Sequence, residues 1–578
     1  MTTSVDLTLL EPLLAQYNGR SRDALLPFLH DAQALYGWLP RPVQEAISRT
    51  LRVPLADIHG VVEFYTMFYN EPTAKRVIRV CDDMACRLAG SADFIEALET
   101  RLGLQSGQTS PNGSVTYERV PCLGMCEHGP NALRNDEPAG HLTPDDVNNF
   151  LVGAHPEPRI QKYGGPLLKL ARAGKVIPWS LNDYEQHGGY ATLRKALAQT
   201  PEEIITTLEA SKILGRGGAM FPTGLKWRYT RSAPGTPAQK HLIANADESE
   251  PGTFKDRGLL EEDPFSLVEA MTIAAYAIGV ENGWIFIRGE YPRGYRRLVT
   301  AVNLARRAGY LGQNILGKEG FNFDIEVRLG AGAYICGEET ALFEAIEGKR
   351  GFPRIKPPFP TTHGLFQQPT AINNVETLAA AMSVLSIGLD EWLKLGTAES
   401  PGTKWFCLSG HVVRPGVYEL PFGLTIRELI AMAGGVPDGK AIQAVLMGGA
   451  AGVFLPPDKL DVPLSYESAK ANNFPLGSGV IMVFDETADL RHALYQLGHF
   501  FAHESCGKCF PCQLGTQRQL EILERIAHNG GPRPGDEAAL QDIGFAMTKT
   551  SLCGLGQTAA TAVLSAINIW PELVASEQ

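Results

Sequence analysis

Eight of the ten cysteines in this 578-residue chain fall into two sets whose spacing suits a metal centre. Cys506, Cys509 and Cys512 follow one another as C-x2-C-x2-C, and Cys553 comes after 40 intervening residues. Three thiolates on one loop with a fourth from elsewhere is how a protein wraps a four-iron cubane: three irons face the loop and the fourth faces the opposite wall. Structural zinc, the competing reading, ordinarily uses two separated ligand pairs. Cys81 and Cys86 (C-x4-C) and Cys122 and Cys126 (C-x3-C) form two pairs with 35 residues between them. Such pairs suit a two-iron cluster, one pair per iron, and they also match zinc's usual pattern. Cys336 and Cys407 stand alone in apolar surroundings and are expected to be buried and inert.

Three loops carry a second kind of chemistry. Gly215-Arg216-Gly217-Gly218-Ala219-Met220-Phe221-Pro222-Thr223-Gly224 is dense in glycine and leads into Lys226. Its backbone can approach a ligand closely and cradle a phosphate, with Lys226 adding a point charge. No strand leads into it, so it is not the Rossmann fingerprint, and a plain turn is the bland reading. Asn245 to Asp256 packs Asp247, Glu248, Glu250 and Asp256 after a run that reads as a strand. Those carboxylates can accept hydrogen bonds from a ribose or a ring N–H, or form a merely solvated turn. Gly330 to Glu339 opens a helix at Thr340 to Ile346, which places its amides where an anion would bind. Lys356 and Phe359 follow shortly.

The elements that must position these residues read as several domains. Residues 1–72 have helical periodicity (Leu25, Phe28, Leu29, Ala32, Leu35) and predict a small helical bundle. Residues 73–155 predict an α/β unit in which the strand Val77 to Val80 delivers Cys81 and a helix follows around Phe94 to Leu102. Four prolines and the adjacent glycines Gly164 and Gly165 mark 156–180 as a linker or extended arm. Residues 181–402 alternate strand and helix (His241 to Ala244, Trp284 to Ile287, Phe265 to Ile278), which predicts an α/β layer. Residues 403–485 predict short strands around one helix at Thr425 to Ala433, ended by Gly434 and Gly435, and 486–578 are helical.

Composition narrows the class. An apolar fraction of 44% and a charged fraction of 20% are those of a globular chain. The net charge of −11 argues against a nucleic-acid partner. The N-terminus does not read as a secretory signal, and no apolar run is long enough to span a membrane. A cytoplasmic location is therefore expected, in which cysteines serve as metal ligands rather than disulfides.

Taken together, GRGGAxFPTGLKW, NADExEPGTFKD, GAGAYICGEETAL, KPPFP, INNVETL, ESCGKCxPC and the distant SLCG resemble the flavoprotein subunit of respiratory complex I. The first 150 or so residues resemble its small two-iron partner, here joined in one chain. The resemblance implies a thioredoxin-like [2Fe-2S] domain after the bundle, a Rossmann-like FMN domain, a ubiquitin-like β-grasp domain and a helical [4Fe-4S] domain. It implies FMN held by Gly215, Arg216, Gly217, Gly218, Lys226, Asn245, Asp247, Glu248, Tyr334, Gly337, Glu338, Asn373 and Asn374. It implies NAD(H) held by Phe221, Glu250, Glu339, Lys356 and Phe359, with adenine near the two phenylalanines. The chain departs from the family pattern at Met220 and Ser249, where glycine is frequent. By the same resemblance a hydride passes between nicotinamide and flavin and electrons continue singly through the clusters, with no side-chain nucleophile or acid–base required. The acids at Glu250 and Glu339 lean the reading toward NAD over NADP. The fused architecture, with Gly188 to Leu193 and Ser551 to Gln557, most resembles the diaphorase subunit of soluble NAD-dependent formate dehydrogenases. That implies a partner subunit carrying molybdenum or tungsten and further clusters. NAD-reducing hydrogenases and a fused complex I form are the alternatives, and a non-catalytic electron relay is the reading from another class.

Overall fold

The computed structural model describes residues 5–528 and 530–575. Four helices, Glu11–Tyr17, Leu25–Tyr36, Arg41–Leu51 and Leu55–Phe64, form the N-terminal bundle. Leu25, Phe28, Leu29 and Ala32 are buried as their spacing predicts, while Leu35 faces outward. The second of these helices stops at Gly37, whose φ of 78° only glycine adopts cheaply. The bundle rests on a distant glycine loop. Thr66 N donates to Gly332 O, Met67 N donates to Ala331 O, and a ring nitrogen of His30 lies 3.1 Å from Gly330 O.

The next unit is a five-stranded sheet in the order Gln108–Thr109, Thr116–Val120, Val77–Cys81, Ala132–Arg134, Glu137–Ala139. The central strand runs parallel to Thr116–Val120 and antiparallel to Ala132–Arg134, and it ends on Cys81. Helices Ser91–Leu102 and Val147–Val152 cover the sheet and meet through Phe94 and Phe150.

The largest unit is a four-stranded parallel sheet in the order Thr370–Asn374, His241–Ala246, Asn282–Ile287, Asp324–Leu329. The helix Pro264–Ile278 is buried almost all round, as expected of a helix with no polar face. At the carboxyl ends of the strands lie Asn374, the Asp247 loop, Arg288 and the Gly330 loop, the edge at which open parallel sheets take ligands.

Residues 403–485 contribute five strands of a six-stranded sheet, Thr403–Gly410, Gly416–Pro421, Ile442–Met447, Val453–Leu455 and Val480–Asp485. A second helix, Tyr466–Ala471, joins the expected one at Ile426–Met432. The sixth strand corrects the reading of 156–180 as a linker. Lys162–Gly164 pairs in parallel with Val417 to Glu419 and completes the sheet's edge. Beyond it the arm buries Lys169, whose Nζ lies 3.3 Å from Glu419 and 3.7 Å from Glu376. Lys255 also reaches Glu376, at 3.3 Å. Prolines and glycines here shape a packed strap rather than a tether, because the edge strand and the buried charges fix it from both sides. Helices Leu490–Glu504, Phe510–His528, Asp536–Thr550, Gly554–Thr558 and Thr561–Ile569 complete the chain. Among the described residues no helix is long and apolar enough to cross a membrane.

Candidate functional site

The glycine-dense loop follows the helix Pro201–Ala210 rather than a strand. A single bridge between Leu214 and Pro222 closes it, with Gly215 N donating to Phe221 O at 2.9 Å. Gly218 has φ of 113°, and a Cβ on Gly217 would stand 3.1 Å from Asn374 Cβ, so this backbone approaches its neighbours as side chains would not permit. The loop forms one wall of two adjoining cavities of ≈ 400 and ≈ 460 Å³ that share Gly217, Asn245, Gly337, Glu338, Asn374 and Gly554. Together they make a cleft at the carboxyl edge of the parallel sheet, in the size range of small-molecule sites.

Of the residues expected to hold the flavin, Gly215, Gly217, Gly218, Lys226, Asn245, Asp247, Glu248, Tyr334, Gly337, Glu338, Asn373 and Asn374 line this cleft. Arg216 does not. Its side chain is 1% exposed, donates to Tyr466 Oη at 2.8 Å and lies over the Phe422 ring. The guanidinium finds aromatic and hydroxyl partners in the β-grasp unit, so Arg216 fastens the loop from behind. The expected anion site at the helix after Gly337 is also corrected. The Glu338 carboxylate accepts from Thr340 N and Ala341 N, both at 2.9 Å, and so caps the helix Glu339–Ile346 itself.

The remaining polar groups are held in place by their neighbours. Asn245 donates to Gly337 O at 2.9 Å, Asn373 accepts from Trp227 Nε1 at 3.0 Å, and Lys226 donates to Ile372 O at 3.0 Å. Asn374 accepts from buried Lys255 at 3.0 Å and donates to Asp256 at 2.6 Å. Glu248 accepts from Asp256 N, Arg257 N and Tyr291 Oη. Burial pushes its carboxyl up to about 8 and that of Glu250 up to about 7. Burial likewise holds Asp247 well above the ordinary carboxylate range. Partly protonated acids donate as well as accept hydrogen bonds and repel a phosphate less than a full set of charges would.

On the nucleotide side, Phe221, Glu339 and Lys356 line the first cavity and Glu250 the second. Lys356 Nζ bridges Glu338 and Glu339 at 2.9 Å each. Phe359 is 58% exposed just beyond it, and Phe221 is 41% exposed. Met220 takes φ of 52°, the left-handed region where glycine is the unstrained residue.

The four C-terminal thiols gather around a cavity whose walls are Cys506, Cys509, Cys512 and, from the start of the helix Gly554–Thr558, Cys553. Burial pushes Cys512 up to about 12 and Cys553 up to about 11. Cys81, Cys86, Cys122 and Cys126 are all buried, with Sγ atoms of the last two 3.3 Å apart. The four C-terminal thiols, gathered around one cavity, suit a polynuclear cluster, which interposes iron and sulfide between its ligands. Cys336 and Cys407 are buried singly, as expected, and Cys407 Sγ accepts from Phe254 N.

Both thiol sets adjoin the cleft. Cys553 lines the four-thiol cavity and the first part of the cleft, and Ile335 and Leu555 line that cavity and the second part. On the other side, Arg288 donates to Glu248 O at 2.6 Å and to Cys122 O at 2.7 Å, and Arg257 donates to Gly124 O at 2.9 Å. A Cβ on Gly124 would collide with Tyr291, so this turn requires glycine. The sequence reading missed the floor of the cleft, which Gly448, Ala451, Gly477 and Ser478 supply from the β-grasp unit. The glycine run Gly448-Gly449-Ala450-Ala451-Gly452 was the available signal, since a Cβ on Gly449 would strike Glu250.

The residues present fit a flavin. The cleft is walled by glycine backbone, and buried Asp247 Oδ2 has no hydrogen-bond partner within the protein and borders the space such a ring would fill.

Four family models match the chain: the Nuo51 FMN-binding domain over 208–383, the thioredoxin-like [2Fe-2S] ferredoxin over 10–155, the NADH-ubiquinone oxidoreductase-F iron-sulfur binding region over 492–577, and the SLBB domain over 406–451. The chain is 44% identical to a subunit of the NADH-quinone oxidoreductase of Aquifex aeolicus, across 72% of this chain and 95% of that one. It is 35% identical to the NAD-reducing hydrogenase HoxS subunit alpha of Cupriavidus necator, across 97% and 93%. Among solved structures, a chain of an NAD+-reducing [NiFe]-hydrogenase in the H2-reduced state superposes with a TM-score of 0.85 at 32% identity, covering 96% of this chain and 92% of that one.

Proposed function

Because the chain belongs to the family of NADH-oxidising flavoprotein subunits of complex I-type modules, we propose that it serves as the diaphorase subunit of an NAD-dependent formate dehydrogenase. It is a flavin- and iron–sulfur-dependent NADH dehydrogenase subunit whose cofactors are FMN, NAD(H), one [2Fe-2S] cluster and one [4Fe-4S] cluster. FMN, when bound, supplies hydride exchange with the nicotinamide and one-electron exchange with the clusters.

The observation that carries the site assignment is one cleft lined by Cys553 of one thiol set and linked through Arg288 to Cys122 of the other. In this reading Gly215, Gly217 and Gly218 offer backbone to the flavin, Asn245, Asn373 and Asn374 orient it, and Lys226 supplies positive charge. Asp247 meets a ring donor with its free oxygen. Phe221 and Phe359 stack on the adenine, and Glu250, Glu339 and Lys356 face the nucleotide. Cys506, Cys509, Cys512 and Cys553 hold the four-iron cluster and Cys81, Cys86, Cys122 and Cys126 the two-iron cluster, on opposite flanks of the cleft. These roles are binding and orientation, and no side chain acts as nucleophile.

The formate assignment rests on the resemblance at Gly188 to Leu193 and Ser551 to Gln557. Its partner would be a subunit carrying molybdenum or tungsten and further clusters, in the cytoplasm. A hydrogenase partner is the second reading, favoured by the relative that matches 97% of this chain and is named as part of an NAD-reducing hydrogenase. Purification from the native source with its partners, followed by NAD+ reduction with formate and with hydrogen, tests both. Formate-driven reduction is expected; reduction by hydrogen alone would overturn the formate reading in favour of the second.

A further inference from the structure

NADH oxidation does not end with electrons. Its balance, NADH → NAD+ + H+ + 2e−, leaves one proton for each pair of electrons that the clusters carry away, and the reverse direction consumes one. In the functional reading above, a bound nucleotide would close the cleft on the side of Phe221 and Lys356. A second opening lies behind. A cavity of ≈ 230 Å³ runs between the two-iron unit, the flavin unit and the helix Leu490–Glu504. That space exceeds the share of one liquid water, about 30 Å³, several-fold. Its outer lip includes Ser106, Gly107 and Arg119, all exposed. Its inner wall includes Ser249, which is 7% exposed and also lines the cleft.

We propose that Ser249 and this cavity form the route by which the proton of NADH oxidation passes between the buried site and solvent, with Glu290 and His503 along its wall. This inference rests on the functional reading above. The hydroxyl of Ser249 both donates and accepts, which a relay position requires. It acts on Asp247, the buried carboxyl whose Oδ2 has no partner and which borders the cleft. Burial, Glu290 and Glu504 push Asp247 up, while Arg288 and the Ser249 hydroxyl oppose them. Arg79 and Glu118 face the cavity from the two-iron unit, and Arg288 and Glu290 are paired at 3.0 Å on the flavin side. On the third side His503 continues a face of the helix Leu490–Glu504 that carries exposed His499 and half-buried Tyr495 and His492. The charged and hydroxyl groups among Met67, Val120 and Leu123 in this lining give water the polar partners it needs.

The test mixes NADH with the anaerobic complex in weak buffer and follows electron arrival on the clusters, by freeze-quench spin resonance, beside a pH-indicator dye, because the balance frees H+ only as the electrons reach the clusters. Flavin content and the spin-resonance signals of both clusters are checked for each variant. In the unaltered protein the dye is expected to keep step with cluster reduction. In Ser249→Ala and in Glu290→Gln the dye should lag cluster reduction by about tenfold or more, as expected when a proton-transfer group is lost. Ser249→Thr, which keeps the hydroxyl, should restore the timing. A dye response that keeps step in Ser249→Ala and Glu290→Gln overturns the route, as does an equal lag in Ser249→Ala and Ser249→Thr. Absence of flavin bleaching by NADH in flavin-loaded unaltered protein is a separate result and would count against the functional reading itself.

Discussion

Met220 holds a left-handed backbone with a full side chain, at φ of 52° beside the mouth of the cleft. A non-glycine residue pays roughly 1–2 kcal/mol for that conformation. Met220→Gly is therefore expected to raise stability by up to about 1 kcal/mol after the entropy glycine adds to the unfolded chain, read as a higher urea midpoint. Two histidines, buried His241 and half-buried His30, set a pH limit. Burial holds both His30 and His241 down to about 4, below their ordinary 6.5. A group whose folded value is depressed leaves the unfolded state binding more protons on acidification, so stability present above pH 6.5 is lost as pH falls toward 4. For His30 the loss is on the order of 3 kcal/mol by pH 4, and His30→Gln should flatten the denaturation midpoint across that window. At this scale the gathering of the thiols and the glycine loops was legible because their chemistry is written in short-range spacing. The direction of Arg216 was not, because its partners Tyr466 and Phe422 lie more than a domain away in sequence.

Among the elements, the strap at 156–180 departs most from its sequence pattern. Proline and glycine content describes local backbone freedom, whereas the strap's order comes from the edge of a sheet and from Glu419 and Glu376. Lys169 and its carboxylate partners are fully buried, and removing one member of a buried ion group costs roughly 3–5 kcal/mol because the others are left uncompensated. Lys169→Met is expected to lose stability on that scale. Hydrogen exchange should show amides of Lys162–Gly164 and Val417–Glu419 losing protection together. The carboxylate Glu376, driven down to about 2 by Lys404, Lys255 and Lys169 against the cost of burial, should be the most damaging of this group to neutralise. The strands at His241–Ala246 and Asn282–Ile287 and the helix Pro264–Ile278 were legible as apolar runs, because the sheet and its covering layers bury them on nearly all sides.

For the whole molecule, the arrangement that matters is a cleft with one thiol set on each flank. Cys122→Ser is expected to remove the two-iron resonance signal while leaving flavin content and the four-iron signal intact. Cys553→Ser should do the converse. Loss of both cluster signals in either variant would mean that the flanks do not assemble independently. For the β-grasp floor of the cleft, the glycine run at 448–452 signals a close backbone approach, but nothing local to it says that the neighbour lies about 200 residues earlier. The strap has one more consequence, for the order in which the chain can acquire its shape on the ribosome. Lys169 and Glu419 are 250 residues apart, and closing a loop of that length costs roughly 5 kcal/mol of chain entropy before any contact offsets it. The β-grasp sheet thus waits for its edge strand to be matched with a partner synthesised much later. Completion of that sheet belongs to the slow, late phase of folding, after the two-iron unit has already formed at the front.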